Sequence, residues 1–182
     1  MLFRTQKRLP RRGVTLIECA IVYPLLFFLL LGLMIGGMGI YRYQEVAALA
    51  RSGARYASTH GAQFRKDTSE GVGTPGTSAG TTSNILWYQA SPTGSAGSDT
   101  SWTGDIYDSA MRPQLIALDP NNLSVQVGWP MVTNPSGTVV QNKPDNWPGS
   151  TVTVTVSYQW LPELYLIGPI TLTSTSTMPI TN

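Results

Sequence analysis

From Cys19 to Tyr41 the chain runs 23 residues without a charged side chain, in a composition dominated by Leu, Ile, Met, Phe and Gly. Wound as an α-helix this run measures about 34 Å against a hydrocarbon core of roughly 30 Å, so it is long enough to cross a bilayer. Five of the twelve Lys and Arg residues stand ahead of it (Arg4, Lys7, Arg8, Arg11 and Arg12), with no acid among them. The positive-inside bias therefore holds the N-terminus in the cytoplasm and sends everything after Tyr41 to the other side. Arg42, Arg51 and Arg55 weaken that asymmetry without reversing it.

The formal charge of +2 hides this polarity, because beyond residue 12 seven cations face ten acids. An acidic remainder argues against nucleic-acid binding, which requires a basic patch on the folded domain. With 182 residues the chain makes one modest domain plus an appendage. Eighteen Gly, thirteen Pro and abundant Ser and Thr point to a loop-rich, secreted-looking body. A single Cys and a single His exclude a disulfide framework within one chain and argue against a Cys/His zinc site.

Three kinds of processing compete for the N-terminal segment. An ordinary secretory signal has an apolar run of roughly 7 to 15 residues before a small-residue cleavage site. Here the run is too long, and Arg42 and Glu45 intervene before Ala48-Leu49-Ala50. A lipoprotein signal would use Cys19, but Glu18 occupies the preceding position, where a small residue is needed. The third reading fits position by position. Arg11-Arg12-Gly13-Val14-Thr15-Leu16-Ile17-Glu18 resembles a type IV prepilin signal, a short basic leader ending in Gly followed by an apolar helix whose fifth residue is Glu. That resemblance implies a cut between Gly13 and Val14 by a membrane prepilin peptidase on the cytoplasmic side, with the helix left attached.

The resemblance narrows further along. Glu18, then Ala20-Ile21-Val22-Tyr23-Pro24-Leu25-Leu26, and later Ala48-Leu49-Ala50-Arg51-Ser52-Gly53-Ala54-Arg55-Tyr56-Ala57, are similar to the TadE-like proteins of the tight-adherence (Flp-type) pilus. The similarity covers residues 11 to 57, and departs at Cys19, where that family usually carries an aromatic residue. The run from Val152 to Met178 resembles the family's ending less specifically.

Each singled-out residue has a chemistry. A carboxylate in mid-membrane costs roughly 2.5 to 3.5 kcal/mol on insertion scales, and less near the interface where Glu18 lies. A cation offsets that cost, and the resemblance implies the free α-amino group of Val14 on a neighbouring subunit, so that Glu18 sets assembly and register. The competing reading is a Glu that snorkels to the headgroups. Pro24 removes a helix hydrogen bond and predicts a kink or local unwinding. Gly32 and Gly36 form a small-xxx-small pair for helix packing, although Gly is simply commoner in membrane helices. Beyond Tyr41 the alanines continue the helix, and a single helix from Val14 to Ser58 would measure roughly 67 Å, about twice the membrane thickness. Arg51 and Arg55, four apart on one face, either bind acids of the globular part or of another subunit, or are solvated surface cations.

The remainder reads as an extracytoplasmic α+β domain. Residues 59–103 form a Gly/Ser/Thr-rich loop region, interrupted by Ile85-Leu86-Trp87-Tyr88 and Trp102; such aromatics stack on sugars, pack a partner or pin the loop to its own domain. A short helix disturbed by Pro113 is expected between Asp105 and Leu118, then a turn at Asp119-Pro120-Asn121-Asn122. Leu123 to Trp129 and Val152 to Trp160 alternate as half-buried strands, and Ile170 to Thr177 completes a three-stranded antiparallel sheet packed on the outer half of the helix. The apolar connection Leu161 to Pro169 reads as a core plug or a subunit contact.

No catalytic constellation, cofactor or metal site is expected: His60 lacks a nearby nucleophile, and Asp99, Asp105, Asp108, Asp119 and Asp145 are scattered through turns without calcium-loop spacing. The resemblance thus implies a minor pilin or pseudopilin of a bacterial tight-adherence pilus, acting in assembly, surface adhesion and biofilm formation. Its partners would be a prepilin peptidase, the major pilin and other minor pilins, an inner-membrane assembly platform and the lipid bilayer. The alternatives are a pseudopilin of a related type II secretion-like machine and a membrane-anchored glycan-binding module.

Overall fold

The computed structural model describes residues 12–62, 64, 75, 77–82, 84–90, 92, 101–133, 139–162 and 168–182. Helix α1, Arg12–Thr59, takes in the apolar run and the alanine-rich segment after it, and stays helical across Pro24. The chain divides into two units, Met1–Gly39 and Ile40–Asn182.

In the first unit the described residues are the first part of α1. Large apolar side chains from Leu16 to Met34 are exposed on all sides, Leu16 and Leu25 at 71% each. A helix that is apolar all round belongs in lipid or among other helices.

The second unit is built on antiparallel strands β1 (Thr77–Thr82), β2 (Ile85–Ala90), β3 (Leu123–Thr133), β4 (Val139–Pro144), β5 (Thr151–Trp160) and β6 (Ile170–Pro179). Five lie in the order β1-β2-β3-β5-β6, and β4 pairs with the end of β3. The three expected strands are therefore present as β3, β5 and β6, but a three-stranded sheet is a correction to make: β1 and β2 rise out of the segment read as loop. Thr77–Thr82 is all small and polar, so no apolar alternation marks it. Its pairing to β2 carries a bulge between Ser78 and Gly80, with Gly80 at φ 117°, and Asn84 in the left-handed region at φ 62° closes the connection to Ile85.

Helix α2, Trp102–Ile106, is capped by Ser101, whose Oγ accepts the Gly104 N–H at 3.2 Å. It runs into a π turn, Tyr107–Met111, and a 3₁₀ turn, Arg112–Gln114, so that the expected short helix is irregular where Pro113 removes a backbone donor. Asp119 caps a second 3₁₀ turn, Pro120–Asn122, ahead of β3.

The core lies between the second part of α1 and one face of the sheet. Val46, Leu49, Ala50, Gly53, Ala54 and Ala57 recur every three or four residues and are buried, as are Val125, Val127 and Trp129 of β3 and Val152, Val154 and Val156 of β5. Small residues let the helix axis come close. At Gly53 an added Cβ would overlap Met111 Cε and lie 3.4 Å from Val154 Cγ1 and 3.5 Å from Ile106 Cγ2. Arg42 reaches Tyr158 and Trp160, Gly53 meets Val154, and Ser58 O accepts the Thr181 N–H at 2.9 Å. The helix therefore runs antiparallel to β5: the rise from Arg42 to Gly53 and that from the Tyr158–Trp160 level to Val154 are alike, at roughly 16 Å.

This pairing gives the unit two ends. At the near end are the start of its helix at Ile40, the Trp160↔Ile170 pair and the Leu115–Ala117 turn, whose Ile116 and Ala117 N–H groups bond to Glu45. At the far end the chain is tied by Gly61 N–H to Asn182 O at 3.0 Å, Ala62 N–H to Asn146 O at 2.8 Å, and Ile180 N–H to Ser150 O at 2.8 Å. The sheet face away from α1 carries a ladder of hydroxyls, Thr153–Thr177, Thr155–Thr175 and Ser157–Thr173, each pair at 3.0 to 3.1 Å. Leu161 lies at the near end, exposed, while Leu164 to Ile167, read as plug or contact, are outside the described residues.

Two predictions follow from the packing. Gly53→Val forces Met111 and Val154 apart and lowers stability by about 1–3 kcal/mol, measured by urea unfolding of the detergent-solubilised chain. Burial pushes the phenols of Tyr88 and Tyr107 above their ordinary value; at Tyr107, which donates to Pro92 O at 3.1 Å, Arg112 pulls it back and Asp108 adds to it. The unfolded chain ionises these phenols first, so stability present below about pH 10 falls as the pH rises beyond it. In Tyr107→Phe that alkaline loss is smaller, read from thermal unfolding between neutral and alkaline pH.

Candidate functional site

At the start of α1 the local sequence places the prepilin-like residues on helical backbone. Gly13 and Val14 lie in the first turn, while the leader, residues 1–11, is outside the described residues. Glu18 follows Val14 by four residues, about 6 Å along the axis on the same face. Its side chain is exposed and has neither a hydrogen bond nor an ion pair among the described residues. Cys19 beside it is a free, half-buried thiol. An exposed acid at the head of an apolar helix, unpaired among the described residues, costs free energy in a membrane that a nearby cation would offset.

Further along, Tyr23, Pro24, Leu26, Phe27 and Leu30 line a shallow apolar groove. At Gly32 and Gly36 an added Cβ would meet nothing within 4 Å, so the pair leaves a smooth strip open to another helix. The helix contains a window of mean hydropathy 2.5 and is compatible with a single-pass membrane anchor.

On the second part of α1, Arg51 and Arg55 are exposed and form no ion pair among the described residues. Arg51 Nε donates to Ala47 O of its own helix at 3.0 Å. Arg55 lines a shallow groove with Tyr56, Thr59, Ser109 and Pro113. The structure thus places the two arginines outward and brings them to none of the unit's described acids.

Two arrangements escaped the sequence reading. Arg42 Nη1 donates to the Tyr158 hydroxyl at 3.3 Å and the guanidinium lies 5.6 Å from the Trp160 ring centroid, within cation–π range. Glu45 Oε1 accepts the N–H groups of Ile116 and Ala117 at 2.9 and 3.1 Å, while Oε2 is buried and unpartnered among the described residues. The available signals were positional: Arg42 is the first charge after the apolar run, and Trp160 ends an alternating strand.

The aromatics of the presumed loop are built into the domain. Leu86 and Tyr88 are buried and Trp87 half-buried in β2, Tyr88 packs on Trp129 with centroids 5.7 Å apart, and Trp102 meets Trp129 edge-on at 5.7 Å. His60 stacks on Tyr56 at 3.9 Å with Nδ1 3.0 Å from Tyr56 O, an end-of-helix arrangement. Asp108 pairs with Arg112 at 3.0 Å, one turn apart. Among the described residues no three His, Cys, Asp or Glu converge as metal ligands.

Compared with known families, residues 13–55 match the model of the TadE-like proteins. The N-terminal segment is TadE-like. The TadE-like segment opens on Gly13, takes in Glu18, Pro24, Gly32 and Gly36, and closes on Arg55. It therefore joins the apolar half of α1 to the half that carries the sheet. No curated protein and no solved structure matches the chain.

Glu45→Ala removes two charge-assisted hydrogen bonds and releases the near-end turn, at a cost of about 1.5–3 kcal/mol. Faster amide exchange at Ile116 and Ala117, with the amides of β5 unchanged, checks this.

Proposed function

We propose that the chain is a minor pilin or pseudopilin of a bacterial tight-adherence pilus, working in pilus assembly and through it in adhesion and biofilm formation. The supporting observation is a TadE-like segment whose only acid before Tyr41, Glu18, stands exposed near the start of an apolar helix and has no partner among the described residues. In this reading the basic leader holds the N-terminus in the cytoplasm, a prepilin peptidase cuts between Gly13 and Val14, and the Ile40–Asn182 unit lies outside. Trimming creates an ammonium on Val14. Glu18 of one subunit and Val14 of the next then neutralise each other, and the pairing fixes register while the apolar side chains fix nothing but burial. Gly32, Gly36 and Pro24 supply close packing and softness to the helix as it passes from lipid into a filament.

The partners on this reading are the peptidase, the major pilin and other minor pilins, an inner-membrane assembly platform and the bilayer. Arg51 and Arg55, outward-facing, are the cations available to a neighbouring subunit. The glycan-binding alternative draws less support, because Trp87 and Trp102 serve the fold of their own unit.

Gly13→Leu is expected to retain the leader and abolish incorporation into filaments, scored by immunoblot of sheared surface material. Glu18→Ala is expected to be cut normally yet to incorporate at a reduced level. Normal piliation with uncut Gly13→Leu would remove the processing step from the account, and unimpaired incorporation of Glu18→Ala would remove the pairing.

A further inference from the structure

The exposed large apolar side chains of the Ile40–Asn182 unit are gathered at one end. Tyr41, Tyr43, Ile116, Leu161 and Ile170, with Ile40, all lie at the near end, and Trp147 is the only one at the far end among the described residues. They come from three separate stretches of chain. Tyr41 and Tyr43 are on α1, 52% and 49% exposed; Ile116, 82% exposed, is held beside α1 by its N–H bond to Glu45; Leu161 and Ile170 flank the Trp160 end of the sheet. Arg42 stands among them, its guanidinium fixed over Trp160 and against Tyr158.

Apolar tips from distant parts of a chain, ringed by tyrosines and a cation at a single level, have the composition of a surface that sits in the headgroup region of a membrane. Covalent continuity states which membrane: Tyr41 is the last residue of the uncharged run and Arg42 the first charge after it. We propose that the near end of this unit is itself a lipid-binding surface, with Ile116 and Leu161 inserted into the extracytoplasmic leaflet, Tyr41 and Tyr43 at the headgroups, and Arg42 facing lipid phosphates. The proposal rests on α1 being a membrane anchor. It adds that residues more than seventy positions beyond the span also touch lipid, so that the subunit must shed this second contact when it leaves the bilayer. Glu45 acts as the positioning residue that aims Ile116 at the leaflet.

The test uses the full chain in nanodiscs, in a Cys19→Ser background, with an environment-sensitive fluorophore on single cysteines and phospholipids brominated along the acyl chain as quencher. Probes at Ile116→Cys and Leu161→Cys are expected to lose fluorescence in brominated lipid, as a span probe at Leu26→Cys does, while a far-end probe at Trp147→Cys keeps its value. Adding Glu45→Ala is expected to diminish the loss at residue 116 and leave that at residue 26 intact. If the Leu26 probe is quenched but the probes at 116 and 161 behave like that at 147, the lipid contact is wrong and the anchor stands. If Leu26 itself is not quenched, the anchor reading fails and takes this inference with it. Near-end probes insensitive to bromine but shielded from aqueous iodide in proportion to protein density would assign the surface to a second copy of the chain, overturning the proposal.

Discussion

Thirteen large apolar side chains between Leu16 and Met34 stand exposed around the first part of α1. Burying each contributes about 1.5–3 kcal/mol, so the sum far exceeds the roughly 2.5–3.5 kcal/mol that a lone carboxylate such as Glu18 costs at the bilayer centre. The single acid is accordingly compatible with an apolar surrounding for the helix. On the proposed reading, what the acid then decides is how the helix is placed there. Dispersion and burial are non-directional, whereas an ion pair in a low-dielectric medium fixes axial position and partner.

The same helix has to change character within one element. From Leu16 to Met34 most of its side chains are large and exposed; from Val46 the positions on one face are Val, Leu, Ala and Gly, which let α1 press against β5. Gly53, Met111 and Val154 form the tightest point of that contact. Antiparallel alignment of α1 with β5 brings Trp160 and Ile170 to the end where the apolar run stops, and the turn tied to Glu45 brings Ile116 to the same level. Packing in the core thereby determines which side chains are gathered at the near end of this unit.

Much of this was legible in the sequence for physical reasons. A long uncharged run announces a helix of membrane-spanning length, and Val152 to Trp160 announces its strand by alternation of Val, Tyr and Trp with Thr, Ser and Gln. Strands β1 and β2 were not legible: Thr77–Thr82 has no large apolar residue, and Ile85–Ala90 is too short to be told from an apolar patch in a loop. Glu18 could be singled out because an acid in an apolar run is conspicuous. The Arg42–Trp160 and Glu45–Ile116 contacts could not, since each joins residues over seventy positions apart and depends on the helix–strand alignment.

An assembly role through Glu18 requires that the ammonium it meets be made by removal of the basic leader. The mass of the N-terminal peptide of the chain isolated from its native membrane measures this directly. The account predicts a peptide that begins at Val14 and lacks Met1 to Gly13. A native chain that still carries its arginine-rich leader would contradict it.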